Sequence, residues 1–379
     1  MKIEQACWTS SGGWQPSPPG ALAGDAQLVF AFGSTDILSD PARARELRAA
    51  YPNARILGCS TAGEIEGTRV YERSLVTTAV RFAHTTLKIV SEDVDGPASS
   101  RACGERLASA LNAKDLVHMF VLSDGLRVNG SALVEGLRRR APAGVQVTGG
   151  LSGDGERFQQ TLVLLDEAAK PHRVVALGLY GTRLKVGYGS LGGWDPFGPE
   201  REVTRSAGNV LYELDGQPAL DLYKRYLGEH AAGLPATGLL FPLSIRADGA
   251  EREVVRTILS VNEAERSMTF AGDLPQGARA QLMKANFDRL IDGAHGAAKA
   301  SHLAPTDSHP ELAILISCVG RKLVLKQRVE EELEAVRDVF GERTALTGFY
   351  SYGEICPAAP KANCELHNQT MTITTLLEC

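Results

Sequence analysis

The sequence predicts an α/β protein of two domains with mixed sheets, built from repeated strand-helix-strand units that each end in a glycine turn. Three observations predict it. The turn "GCSTAGE" at 58–64 recurs as "GLSGDGE" at 150–156 and "GFYSYGE" at 348–354, each fitting G-x-x-x-x-G-E. Upstream of each lies a short apolar run ending near a glycine: "LVFAFG" at Gly33, "VHMFVLSDG" at Gly125 and "LAILISCVG" at Gly320. The separation from that glycine to the first glycine of the turn is 25, 25 and 28 residues.

A helix is expected between the two glycines of every copy. In the first, Asp40 caps and Pro41 takes the first helical position of "DPARARELRAAYPN". In the second, Leu133, Val134 and Leu137 form the apolar stripe of "NGSALVEGLRRRAP". In the third, Leu325, Val329, Leu333, Val336 and Phe340 mark one apolar face, and Gly341 stops the helix. A strand-helix-strand unit favours parallel pairing of its two strands. A further strand and helix precede the second copy in "TTLKIVSEDVDGPASSRACGERLASALN", and the third in "SMTFAGDLPQGARAQLMKANFDRLIDGA". The stretch "GSLGGWDPFGPE" at 189–200, followed by the Pro218-started helix "PALDLYKRYLG", marks a junction and divides the chain into 25–200 and 201–379.

The chain has 379 residues, 44% of them apolar and 22% charged, enough for more than one core. A formal net charge of −5 gives no electrostatic reason to expect nucleic acid or an anionic membrane as partner. Seven cysteines without a framework spacing suit reduced thiols, and the N-terminus "MKIEQACWTSSGGWQ" lacks an apolar targeting segment. A cytoplasmic location is expected.

The glycine turns resemble phosphate loops in outline, but Glu64, Glu156 or Glu354 stands where such a loop needs lysine. A carboxylate there repels phosphate, which excludes nucleotide hydrolysis. Phe349, Tyr350 and Tyr352 set the third turn apart and suggest an aromatic-walled pocket with Glu354 as its polar group, although aromatics beside a strand end are commonly core. Cys59, Ser60, Ser152 and Cys356 are the candidate nucleophiles, and none sits in G-x-S-x-G. Cys356, Cys364 and His367 lie within twelve residues, although their spacing matches no standard zinc signature. His367 immediately precedes a Thr-rich strand and follows the aromatic turn, a setting that suits a neutral imidazole as haem ligand. No C-x-x-C-H occurs, so covalent haem attachment is excluded.

Taken together, "ILGCSTAGEI", "FVLSDGLRVNG", "VTGGLSGDGERF", "GGWDPFGPEREVTRSAGNVLYELDGQPALDLYKRYLG" and "LTGFYSYGEICP" with "CELHNQTMT" resemble the FIST proteins from about residue 25 onward. The resemblance implies a FIST N-like sensory domain over 25–200 and a FIST C-like ligand-binding domain over 201–379. It implies a bacterial sensory protein, without catalysis of its own. The stand-alone form is similar to the NosP-like haemoproteins, which implies haem b, nitric oxide or haem as the signal, and a histidine kinase or a diguanylate cyclase or phosphodiesterase as partner. His367 would then hold the iron, with Phe349, Tyr350, Tyr352 and Glu354 lining the pocket. A sensor of a small organic metabolite such as an amino acid, and a cysteine-dependent enzyme using Cys59 or Cys356, stand as alternatives. Homo-oligomerisation is left open.

Overall fold

The computed structural model describes residues 1–379 apart from 167, 250–251, 303–308 and 360–361. Three four-stranded units carry the chain. The first orders its strands Arg55–Ser60, Leu28–Gly33, Ser74–Arg81 and Lys2–Thr9. The second orders Gln146–Leu151, Leu116–Ser123, Arg173–Tyr180 and Thr86–Asp93. The third orders Ala345–Ser351, Leu312–Cys318, Met371–Glu378 and Leu184–Leu191. In every unit the first two strands pair parallel, as the repeated strand-helix-strand pattern predicts.

The connecting helices are Pro41–Ala50, Gly130–Arg140 and Val329–Phe340. Asp40 accepts from Ala42 N at 2.9 Å and Asn129 from Ala132 N at 3.0 Å, so both caps satisfy donors that a helix start leaves free. Leu333, Val336 and Phe340 are fully buried, and Gly341 ends that helix at φ 71°.

Each glycine turn hands its chain to another unit. The strand after the first turn, Glu64–Glu66, pairs with Ala345–Ser351 of the third sheet. Beyond the second turn, Val163–Leu165 pairs with Arg55–Ser60 of the first sheet. After the third, Gly353–Pro357 pairs with Gln146–Leu151 of the second. The exchange is cyclic and covers the open edge of all three sheets, so no unit is left with that edge unpaired.

The third unit is interrupted. Its edge strand is Leu184–Leu191, while its helix is Phe287–Ala300 and its next strand Leu312–Cys318. Between them lies an inserted, mainly antiparallel domain with its own core, centred on Val203, Leu211, Leu222, Met268 and Phe270. The stretch 267–270, expected to be the edge strand of the third copy, belongs to this insertion instead. The helix expected after it is in place. Residue 200, the expected domain division, lies inside the inserted domain's strand Trp194–Ala207. Among the described residues no helix is long and apolar enough to cross a membrane.

Candidate functional site

The three turns meet. Ala62 N donates to Tyr350 O at 2.8 Å, Tyr352 N to Leu151 O at 3.2 Å, and Gly153 N to Ser60 O at 2.9 Å, closing a ring of backbone bonds. The ring makes Ser60, Leu151 and Tyr350 equivalent, and likewise Ala62, Gly153 and Tyr352. The second turn is therefore offset by one residue from the alignment of its motif, and Gly149, not Gly150, matches Gly58 and Gly348. By the same offset Gly155 matches Glu64 and Glu354. Glu156 is accordingly exposed while Glu64 and Glu354 are fully buried.

The two buried carboxyls are held alike. Glu64 accepts from Thr61 Oγ1 at 2.5 Å and Ser74 Oγ at 2.6 Å, and Glu354 from Ser351 Oγ at 2.6 Å and Thr370 Oγ1 at 3.0 Å. Desolvation outweighs these bonds and raises Glu64 from the usual 4.5 to about 7 and Glu354 to about 8. A carboxyl more basic in the fold than unfolded contributes stability below its unfolded pKa and loses it as pH rises through the folded one. Glu354→Gln, neutral throughout, is expected to flatten the fall in melting temperature between pH 5 and 8.5. Parallel profiles for variant and wild type would contradict this.

Beside the ring, between the first two turns, opens a cleft of about 340 Å³. Thr61 to Glu64 and Asp154 to Arg157 form two walls, Ser34 and Asp36 a third, and Lys322 with Val319 and Leu323 the fourth. Lys322 Nζ donates to Ala62 O at 2.8 Å and Glu72 at 2.5 Å, and lies 5.9 Å from the Tyr350 ring centre. Asp154 is pinned by the amides of Phe158, Gln159 and Gln160. Ser34 Oγ is buried yet has no hydrogen-bond partner among the described residues. The cleft thus offers fixed charges of both signs, a free hydroxyl and a small apolar patch.

The residues expected from sequence are spread over separate sites. Phe349 is core, its ring 4.8 Å from Phe32. Tyr350 OH donates to buried Glu332 at 2.6 Å. Tyr352 OH bonds Asp154, and its ring stacks on Phe158 at 4.4 Å. These aromatics are spent on Phe32, Glu332, Asp154 and Phe158, so they do not wall a common pocket with Glu354 and His367. Cys59 and Cys356 are fully buried and burial pushes both thiols well above 9, the reverse of an activated nucleophile. Among the described residues no group of three or more His, Cys, Asp or Glu is placed to hold a metal ion, Cys356, Cys364 and His367 included.

His367 alone of the five lines a separate cleft, of about 480 Å³, shared with Leu191, Trp194, Met283 and Arg246 at the inserted domain. Burial lowers its pKa to about 4, which keeps the imidazole neutral, and its Nε2 lies 2.9 Å from Cys356 O. In kind these residues fit a haem: a neutral imidazole, apolar walls and a guanidinium for a propionate. A carbonyl only accepts, so Nε2 carries the proton and Nδ1 the lone pair available to iron.

The sequence pointed to Glu64 through the turn motif but not to Ser34, Thr61, Asp154, Arg157 or Lys322. The available signal was position: Ser34 directly follows strand Leu28–Gly33, and Lys322 lies four residues past the equivalent strand Leu312–Cys318.

The FIST N domain family matches residues 27–217 and the FIST C domain family residues 219–357. A comparison with curated proteins finds no match. Among solved structures, cyanuric acid hydrolase from A. caulinodans aligns over 100% of this chain and 98% of its own, at 9% identity and a TM-score of 0.36. Likeness at that level carries no argument.

Proposed function

We propose, on the premise that this chain belongs to the family of FIST N and FIST C domain proteins, that its ligand is a small zwitterion of amino-acid type held in the cleft between the first two turns. FIST domains are sensory ligand-binding domains of signalling proteins, so the question is what is bound and where. The observation that carries the reading is Ser34 Oγ, a buried hydroxyl without a partner among the described residues, in a cleft lined by Lys322, Arg157, Glu64 and Asp36. A buried polar atom left unpaired is costly, and a ligand that pairs it recovers that cost. Charges of both signs favour a ligand carrying both an ammonium and a carboxylate. A volume near 340 Å³ lies at the small end of ligand pockets. Signal output to a histidine kinase or a cyclic-di-GMP enzyme in a bacterial cytoplasm belongs to the same proposal and rests on the family resemblance.

A second reading, haem b as a nitric-oxide sensor, rests on the His367 cleft. The bound group would supply a gas-binding iron; His367 would hold it, with Arg246 beside a propionate and Trp194 and Met283 as walls. Arg246 is already paired with Glu200 at 2.6 Å, so a propionate would have to displace that carboxylate, which makes the turn cleft the preferred site.

One experiment addresses both. Thermal unfolding is followed with a panel of amino acids and, in a separate arm, visible spectra are recorded with hemin on wild type and His367→Ala. The expected result is saturable stabilisation by one or a few amino acids and hemin absorbance independent of His367. A saturating Soret band lost in His367→Ala, with no amino acid response, would replace the first reading by the second.

A further inference from the structure

Helix Gly130–Arg140 of the second unit meets the inserted domain along a seam. Asn129 Nδ2 donates to Asp273 Oδ1 at 2.8 Å, and Asp273 N to Ser131 Oγ at 3.2 Å. At Gly272 a Cβ would lie 2.9 Å from Ser131 Oγ and 2.8 Å from Arg256 Nε, so the backbone passes close by the guanidinium. Here the seam opens into a cleft of about 270 Å³ lined by Arg138 from the helix and by Arg252 and Arg256 from the insertion.

The three arginines share an unmet charge. Arg256 is only 7% exposed, and its hydrogen bonds go to backbone carbonyls: Nε to Asp273 O at 3.2 Å, Nη1 to Val255 O at 3.3 Å and Leu366 O at 2.9 Å. Among the described residues its Nη2 has no hydrogen-bond partner, and no carboxylate oxygen comes within ion-pair distance. Among the described residues Arg252 bonds only Ala358 O, at 3.0 Å, and Arg138 has no bonded partner. The contrast on the same helix is direct, since Arg139 pairs with Glu135 at 2.7 Å and Arg140 with Glu105 at 4.0 Å.

The carboxylates that face the cleft do not supply the missing partner. Glu135 is taken by Arg101 and Arg139, Asp273 accepts from Asn129, and Glu365 is exposed at the rim. Burial lowers the Arg256 pKa to about 10, against the charges of Asp273 and Glu365, so it stays cationic at neutral pH. Burying a guanidinium without a counter-ion is expensive, and its planar fork matches an oxyanion.

We infer that this seam is a binding site for a small oxyanion, a phosphate monoester or a carboxylate metabolite, held by Arg138, Arg252 and Arg256. Because the arginines come from both sides of the seam, the bound anion ties the inserted domain to the second unit. The site is separate from the turn cleft and stands whether or not that cleft binds a zwitterion.

The test is thermal unfolding of the full chain in inorganic phosphate and in malonate, each against sodium chloride at matched ionic strength. Wild type is compared with Arg138→Ala, Arg252→Ala and Arg256→Lys. General salting effects do not saturate, so a saturable rise in midpoint is the readout. The expected result is such a rise with at least one anion, its half-saturation concentration increased at least fivefold in Arg138→Ala and Arg252→Ala; the anion giving the larger rise identifies the ligand type. Both of those residues are exposed, so their variants keep the test available if Arg256→Lys fails to fold. Neither anion exceeding chloride, or a response unchanged in both exposed variants, would overturn the inference.

Discussion

Replacing Glu332 by alanine is expected to lower the unfolding free energy by about 3–5 kcal/mol, measured by urea denaturation, because it strands a buried positive charge. Arg321 and Glu332 are both 0% exposed and joined at 2.8 Å. Glu332 also accepts from Tyr350 OH at 2.6 Å and Ser317 Oγ at 3.1 Å. On its other side the guanidinium donates to Gly192 O at 2.8 Å and Leu290 O at 2.7 Å. Those two carbonyls mark where the chain leaves the third unit for the inserted domain and where it returns. The pair therefore fastens both crossings to the turn that carries Tyr350. Since one bare charge is worse than none, the double variant Arg321→Met with Glu332→Ala should be less unstable than the sum of the single variants. Additive losses would mean that the charges do not depend on one another.

Gly58→Ala should cost about 3 kcal/mol, at the upper end of what overpacking does. A Cβ there would stand 1.8 Å from Ala31 O, a backbone atom of the neighbouring parallel strand that cannot turn aside. The same approach recurs at Gly149, 1.9 Å from Val121 O, and at Gly348, 1.8 Å from Leu315 O. Gly67→Ala is the informative control: its φ is 59° but nothing lies within 4 Å, so only the left-handed strain of about 1 kcal/mol applies. Equal losses at 58 and 67 would show that conformation, not close strand approach, explains the repeated glycine.

That repeated approach is why the turn was legible in the sequence at all. Parallel strands this close tolerate no side chain at one position, and three units impose the same demand, so glycine recurs in every copy. The offset of the second turn was hidden because Gly149 and Gly150 are adjacent and the motif fits only from Gly150, one residue past the structural match. The interrupted third unit was hidden for another reason. Strand Leu184–Leu191 pairs with Met371–Glu378, and nothing local in either segment names a partner so distant in sequence. The aromatic turn misled in a similar way. Phe349 and Tyr352 have the composition of pocket walls, but their neighbours are Phe32, Asp154 and Phe158 from other units. Lys322 reaches Ala62 across 260 residues, so no window on the sequence could join it to the first turn.

The most direct test of the proposed function is calorimetric titration of the best-stabilising amino acid into wild type, Ser34→Ala and Lys322→Met at pH 7. Removing the Ser34 hydroxyl, which has no partner among the described residues, should raise the stability of the free protein while weakening binding by roughly three- to tenfold, one neutral hydrogen bond's worth. Lys322→Met should weaken it at least tenfold, as loss of a charged hydrogen bond does. Equal affinity in all three proteins, or no amino acid that binds wild type, would contradict the assignment of the turn cleft as the sensory site.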